Sequence, residues 1–259
     1  MIRLGLFTVL VLSAAIALPL AAQQAQSPTH QDLSTLDILA AADAKRGDVH
    51  GTAWLLDVTE QDGARAQLDV QARNQDFLAV YRQPAAQAGQ KILERGQNMW
   101  FVAPGASRPV PISPRQKLLG AAAYGDIAGQ RWSADYRATS RDDSMEDGKH
   151  VAIIRLVANS PHATYDAVTL YVELEDLAAI RSEMLTSNGD LLKTATYSYG
   201  NSVPGRYQAR GGQFDTGGFI SEMTITDRNN AKTVLKYSSV QFRAISPQTF
   251  VLANVMATR

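Results

Sequence analysis

Four histidines are the first candidates for chemistry, and none of them stands in a productive spacing. His30, His50, His150 and His162 lack the H-E-x-x-H or H-x₃₋₅-H intervals that bring imidazoles onto one metal, so strand-end or surface positions are expected for them. Glu173 and Glu175 would share one face of a strand, with Asp176 beside them, as a pair of acid catalysts requires. A charged strand end in solvent accounts for them more simply. No G-x-S-x-G elbow is present, and the glycines of GRYQARGG and DTGGF do not lead from a strand into a helix as a phosphate-binding loop does. The chain has no cysteine, which excludes a disulfide framework, a thiolate metal site, a cysteine nucleophile and a thiol for lipid attachment. We therefore expect no enzyme, no metal and no cofactor.

The elements that would position a binding surface are more informative. The chain has 259 residues, 45% of them hydrophobic, with 25 basic and 25 acidic side chains and no long run of either sign. That balance excludes a nucleic-acid binder, which needs clustered Lys and Arg. Residues 1–22 carry Arg3, an apolar run from Leu4 to Leu20 and then small residues, the pattern of a secretory signal peptide with cleavage after Ala22 or Ala25. The alternative is retention as a membrane anchor, because the run approaches the length of a bilayer span. Residues 23–31 read as a flexible segment and 32–259 as one domain. Export without cysteines points to a bacterial periplasm.

Within that domain, Leu33, Leu36, Leu39, Ala40 and Asp43 recur at helical intervals. They predict a helix over Asp32–Lys45, with Ser34 or Asp32 capping its start and Gly47 its end. The period then falls to two. Trp54, Leu56 and Val58 share one strand face, Leu68 and Val70 another, and Asp62-Gly63 supplies the hairpin turn between them. Strands at DFLAVYR, KILER and MWFVA continue an antiparallel meander. Pro104, Pro109, Pro111 and Pro114 then interrupt it, and Lys117–Gly129 reads as an alanine-rich helical excursion over the sheet. Five strands follow before a Gly-rich connection and a closing hairpin. About ten or eleven strands in sequence must curl, because strand twist accumulates. The expected class is mainly β (α+β): a strongly curved, unclosed antiparallel barrel with helices on its concave side. Some opposite-face positions, Leu55, Leu78, Val80, Trp100 and Ile154, are apolar as well, so both faces are covered or one lines a cavity.

The string from Asn98 to Ile127 resembles the LolA-like outer-membrane lipoprotein-sorting family. Its aromatic strand, arginine, I-S pair and Gly-led segment correspond here to Met99, Trp100, Phe101, Pro104, Arg108, Ile112, Ser113, Gly120, Tyr124, Asp126 and Ile127. The opening ADAKRG and the closing MTITDRNNAKTVLKYSSVQFRAISPQTF are similar to the family's first helix and last hairpin. Pro111 replaces a basic residue usual before I-S, and Gly120-Ala121-Ala122-Ala123 is shorter and less polar than the family's segment. The resemblance implies an incomplete barrel under a helical lid, formed here by Asp32–Lys45 and Lys117–Gly129. It implies a carrier of lipid or lipoprotein acyl chains, with transient contacts to an inner-membrane transporter or an outer-membrane acceptor. The absence of cysteine separates the chain from lipoprotein members. The residues expected to line the lipid site are Trp54, Leu56, Leu68, Val70, Phe77, Trp100 and Tyr124. A sensor or accessory module that binds a partner protein or transporter is the alternative use of the same fold.

Overall fold

The structure is a computed structural model and describes residues 33–47, 51–128, 131–159, 163–202, 206–209, 212–215 and 218–257, the segments 206–209 and 212–215 by their backbone. The expected signal peptide, the segment 23–31, His30, His50 and His162 lie outside the described residues. Among those residues, no helix is long and apolar enough to cross a membrane.

Helix α1 spans Thr35–Ala44 and starts where Ser34 Oγ accepts the Asp37 amide at 3.2 Å. Its buried face is Ile38, Leu39, Ala41 and Ala42, whereas Leu36 is 61% exposed. The run ILAAA offers two apolar stripes about a quarter-turn apart, and the one that continues into Lys45 faces inward. Lys45, not Gly47, is the C-cap.

The strands form two meanders. The first comprises β1 (Thr52–Glu60), β2 (Arg65–Arg73), β3 (Asp76–Gln83), β4 (Lys91–Arg95), β5 (Asn98–Val102) and β6 (Val110–Ile112). After two short strands, β7 (Lys117–Leu119) and β8 (Ala122–Ala123), and helical turns α2 (Tyr124–Ile127) and α3 (Trp132–Asp135), the second begins. It comprises β9 (Tyr136–Glu146), β10 (Lys149–Ala158), β11 (Ala167–Glu173), β12 (Ala178–Leu185) and β13 (Leu191–Asn201). A small hairpin, β14 (Arg206–Ala209) and β15 (Gly212–Asp215), leads to β16 (Phe219–Asp227) and β17 (Lys232–Phe242). Among the described residues all pairings are antiparallel, and the main sheet holds 13 strands in the order β6-β5-β4-β3-β2-β1-β17-β16-β13-β12-β11-β10-β9. The strands β6 and β9 are its edges, so the curved sheet is unclosed.

Thirteen strands exceed the ten or eleven expected from hydrophobic runs. One addition is β6, which pairs with β5 through Pro111 opposite Trp100. Proline is tolerated there because an edge strand has one side that need not donate. The expected helical excursion Lys117–Gly129 is likewise not a helix over its described residues 117–128, which form the hairpin β7–β8 followed by the single turn α2, and Gly129 lies outside the described residues.

The concave face carries the main core, which includes Trp54, Leu56, Leu68, Val70, Phe77, Ile92, Met99, Leu170, Ile225 and Leu235. Ile154, expected on the opposite face, is fully buried in this core because β10 alternates Ala152, Ile154 and Leu156 inward. On the convex face, Leu78, Leu93 and Val102 form a second cluster with Val80 and Trp100. The chain's end covers it, through a 3₁₀ turn at Pro247–Phe250 and helix α4 (Leu252–Ala257). Lys91 Nζ donates to the Val255 carbonyl at 2.8 Å and ties α4 down.

Candidate binding face on the concave side of the sheet

Strand alternation determines which expected residues meet. Trp54, Leu56, Leu68, Val70 and Phe77 stand on neighbouring strands in direct register, Trp54 opposite Val70, Leu56 opposite Leu68 and Ala72 opposite Phe77. None of the five is more than 5% exposed, and all belong to the concave core. Tyr124 on α2 is half-buried against the same core. Trp100 is separated from them: Met99 of β5 faces inward, so Trp100 faces outward into the cluster beneath α4. Its apolarity in sequence reflects this second, smaller core, and nothing in the residue string distinguishes a strand with two dry faces from one lining a cavity.

Two separate covers close the concave face. The first is β7–β8–α2. Gly120 makes its turn with φ +55°, the Ala121 amide donates to Thr233 Oγ1 at 2.7 Å, and Lys193 Nζ donates to the Ala121 carbonyl at 2.8 Å. These contacts to β17 and β13 override the helical propensity of the alanines. Asp126 holds α2 in place. It accepts from the Ala123 amide at 2.8 Å, from Lys193 Nζ at 2.9 Å and from the Tyr165 hydroxyl at 2.6 Å, and it is 2% exposed. Burial, and then the adjacent Asp126 charge, pushes the Tyr165 hydroxyl far above its ordinary range. Sequence reading named Asp126 only through the family pattern; its partners Tyr165 and Lys193 carry no local signal because they arrive from distant strands.

A Cβ added at Gly120 would lie 2.2 Å from Thr233 Oγ1 and 2.7 Å from Glu60 Cγ, in a backbone region that side chains rarely adopt. Gly120→Ala should therefore loosen this cover by about 1–2 kcal/mol, read as faster hydrogen exchange at the 117–127 amides with the strand amides unchanged. Unchanged exchange would show that the hairpin is not seated by this contact.

The second cover is α1 with α3. Asp43 joins them, its carboxylate accepting from the Trp132 amide at 2.9 Å, the Ser133 amide at 3.0 Å and the Ser133 hydroxyl at 2.6 Å. Burial pushes Asp43 up to about 6, against those hydrogen bonds and the nearby Arg46. The C-terminal end of α1 docks on β16, where the Ile220 amide donates to the Lys45 carbonyl at 2.9 Å. On β4, Glu94 lies in register with Phe77 and Met99, which places its carboxyl on the concave side. Burial, then the Asp135 charge, pushes Glu94 up to about 8. Among the described residues, no group of three His, Cys, Asp or Glu side chains is placed to hold a metal ion. His150 is exposed on β10, and Glu173 pairs with Lys149 at 2.7 Å.

A family model described as "Uncharacterized protein" matches residues 73–256. The chain belongs to that family. No curated protein matches it. A LolA superfamily protein from Nitrosomonas europaea superposes with a TM-score of 0.71 at 24% identity, covering 87% of this chain and 99% of that one. A putative outer membrane lipoprotein-sorting protein domain from Vibrio parahaemolyticus gives 0.68 at 15% identity, over 88% and 100% of the two chains. A DUF1329 family protein from Desulfovibrio piger gives 0.66 at 16% identity, over 85% and 97%. The fold is therefore LolA-like, as the motif around Trp100 and Tyr124 implied, and its large curved open sheet is shared by these proteins.

Proposed function

We propose that this LolA-like protein is a periplasmic carrier or binding protein for lipid or for the acyl chains of lipoproteins. The observation that carries this reading is the construction of the concave face. A largely apolar surface on the sheet is roofed by short elements, each tethered separately by a few polar contacts. The covering elements are small for a face of this extent: α1 has ten residues, and α2 and α3 have four each. Acyl chains lose about 0.8 kcal/mol for each CH₂ exposed to water, so a diffusible carrier must enclose them and yet be able to open. Separately tethered covers meet both needs, because one can lift without unfolding the sheet. Trp54, Leu56, Leu68, Val70, Phe77 and Tyr124 would contact the cargo after opening. Delivery would involve transient contact with an inner-membrane transporter or an outer-membrane acceptor.

The test is direct. Delipidated protein should bind a fluorescent fatty-acyl probe saturably, and protein purified from its native compartment should release lipid on extraction, identified by mass spectrometry. Absence of both would overturn the proposal.

A further inference from the structure

Among the described residues, one buried side-chain polar atom has no hydrogen-bond partner, the indole Nε1 of Trp54. The residue is 5% exposed, and the ring centres of Phe219 and Tyr237 lie 6.0 and 6.3 Å from its own. Buried donors are nearly always satisfied, so an orphan in a binding face is expected to meet its acceptor when the face is occupied.

The place of Trp54 in the sheet narrows what that acceptor is. Strand β1 begins at Thr52, which pairs with Phe242 at the end of β17, and β16 begins at Phe219. Phe219 and Phe242 are in contact, their ring centres 5.8 Å apart, so Trp54 joins an aromatic group at one end of the concave face. From that end Trp54, Leu56 and Val58 descend β1 at about 7 Å per inward residue. Only Trp54 of the three retains any exposure. The pairing with β17 is interrupted at the same level. Ala53 pairs with Gln241 and Leu55 with Ser238, which leaves Ser239 and Val240 opposite Trp54 as a bulge, with Ser239 at φ +53°. Bulges re-aim side chains and recur beside binding sites.

An acyl lipid held on this face keeps its chain inside and its headgroup in water, so the bond that joins them must lie near the end of the face. That bond is an ester or an amide, whose carbonyl oxygen is satisfied by one N–H donor. A charged oxygen is not, because a single neutral donor does not offset the desolvation of an anion. Nor is a free cation at hand: the Arg46 charge that reaches Tyr237 is already coupled to Asp43, and its guanidinium is covered by Trp132 and Tyr197.

We propose that Trp54 Nε1–H donates to the ester or amide carbonyl of the cargo, while the acyl chain runs inward along Leu56, Val58 and Leu68. The inference rests on the carrier reading and adds to it the class of cargo, a lipid whose chain is joined through a carbonyl and not through an ether.

Two lysophosphatidylcholines test this, one carrying a palmitoyl ester and the other a hexadecyl ether. They share headgroup and chain length and differ in the carbonyl. Delipidated full-length protein would be titrated with each, by displacement of a fluorescent fatty-acyl probe. The ester should bind about threefold or more tighter than the ether. In the proton–nitrogen correlation spectrum, the Trp54 indole signal, assigned by its loss in Trp54→Phe, should move downfield with the ester and not with the ether. Trp54→Phe, which keeps an aromatic ring and removes the donor, should erase the preference. The wild-type comparison needs no variant, so it survives a failure of Trp54→Phe to fold. Equal affinities, or an ester preference with the indole signal unmoved, would overturn the assignment, show the N–H to be held by the faces of the neighbouring rings, and leave the carrier reading standing. Failure of both lysolipids and of the fatty-acyl probe to bind would overturn the carrier reading itself.

Discussion

Replacing Asp126 by alanine should cost about 3–5 kcal/mol of folding stability, measured by urea denaturation. The magnitude follows from what the carboxylate leaves behind. Lys193 has a side chain only 11% exposed, and its ammonium is held by Asp126 at 2.9 Å and lies 5.0 Å from the Tyr165 ring centre. Removing the anion leaves a cation in a low-dielectric site with one carbonyl partner, and strips the Tyr165 hydroxyl and the Ala123 amide of their acceptor. The double replacement Asp126→Ala with Lys193→Met should recover most of the loss, because it removes the stranded charge. Asp126→Asn should fall between, since it retains an acceptor without the charge. A loss below about 1 kcal/mol for the alanine variant would show the pair to be solvated and the cover to be held by packing alone.

The second large effect has the opposite sign. Glu94→Gln should stabilise the protein by about 2–3 kcal/mol at pH 7.5, a rise of roughly 5 °C or more in Tm. Glu94 is raised by burial, and then by Asp135, from 4.5 to about 8, so the folded protein retains a proton that the unfolded chain releases near 4.5. Between those values the folded state binds more protons, and stability falls as pH rises. Asp43, raised from 3.8 to about 6, acts in the same direction over a lower window, and Asp135 is raised as well. Thermal melts from pH 4.5 to 8.5 should therefore show the wild-type Tm declining with pH above about 5. The curve for Glu94→Gln should run above it at neutral pH and meet it near pH 4.5. A glutamine variant less stable than wild type at pH 7.5 would mean that Glu94 is ionised and paired in the native protein.

Much of the architecture could be read directly from residues. Alternation at Trp54-Leu56-Val58 and Leu68-Val70, with Asp62-Gly63 between them, is a local signal, and the strands formed accordingly with Gly63 at φ +94°. What escaped were decisions made by distant partners. The alanines at 121–123 have helical propensity, but Thr233 and Lys193 supply hydrogen bonds that only an extended hairpin can use. Leu36 and Ile38 are equally apolar, and the inward turn of Lys45 onto Tyr199 and Asp176 decides which faces the sheet. Trp100 was grouped with Trp54 because both are aromatic strand residues. The C-terminal segment that gives Trp100 its own dry face lies more than a hundred residues away. The burial of Lys45 and Arg46 has no local signal for a related reason, since the Tyr199 and Trp132 rings that pack against them come from distant parts of the chain.

The pairing of β1 with β17 also bears on how the chain comes to be made. Each meander is local, every strand finding its neighbour within a short stretch of sequence, but the two halves join only when residues 232–242 enter between β1 and β16. During synthesis from the N-terminus, β1 therefore keeps an open edge bearing Trp54, Leu56 and Val58 until nearly the whole chain exists. The last strand acts as the keystone. A truncation before residue 232 should forfeit cooperative folding altogether, and a chaperone that recognises extended apolar segments would find its longest-lived target in residues 52–60.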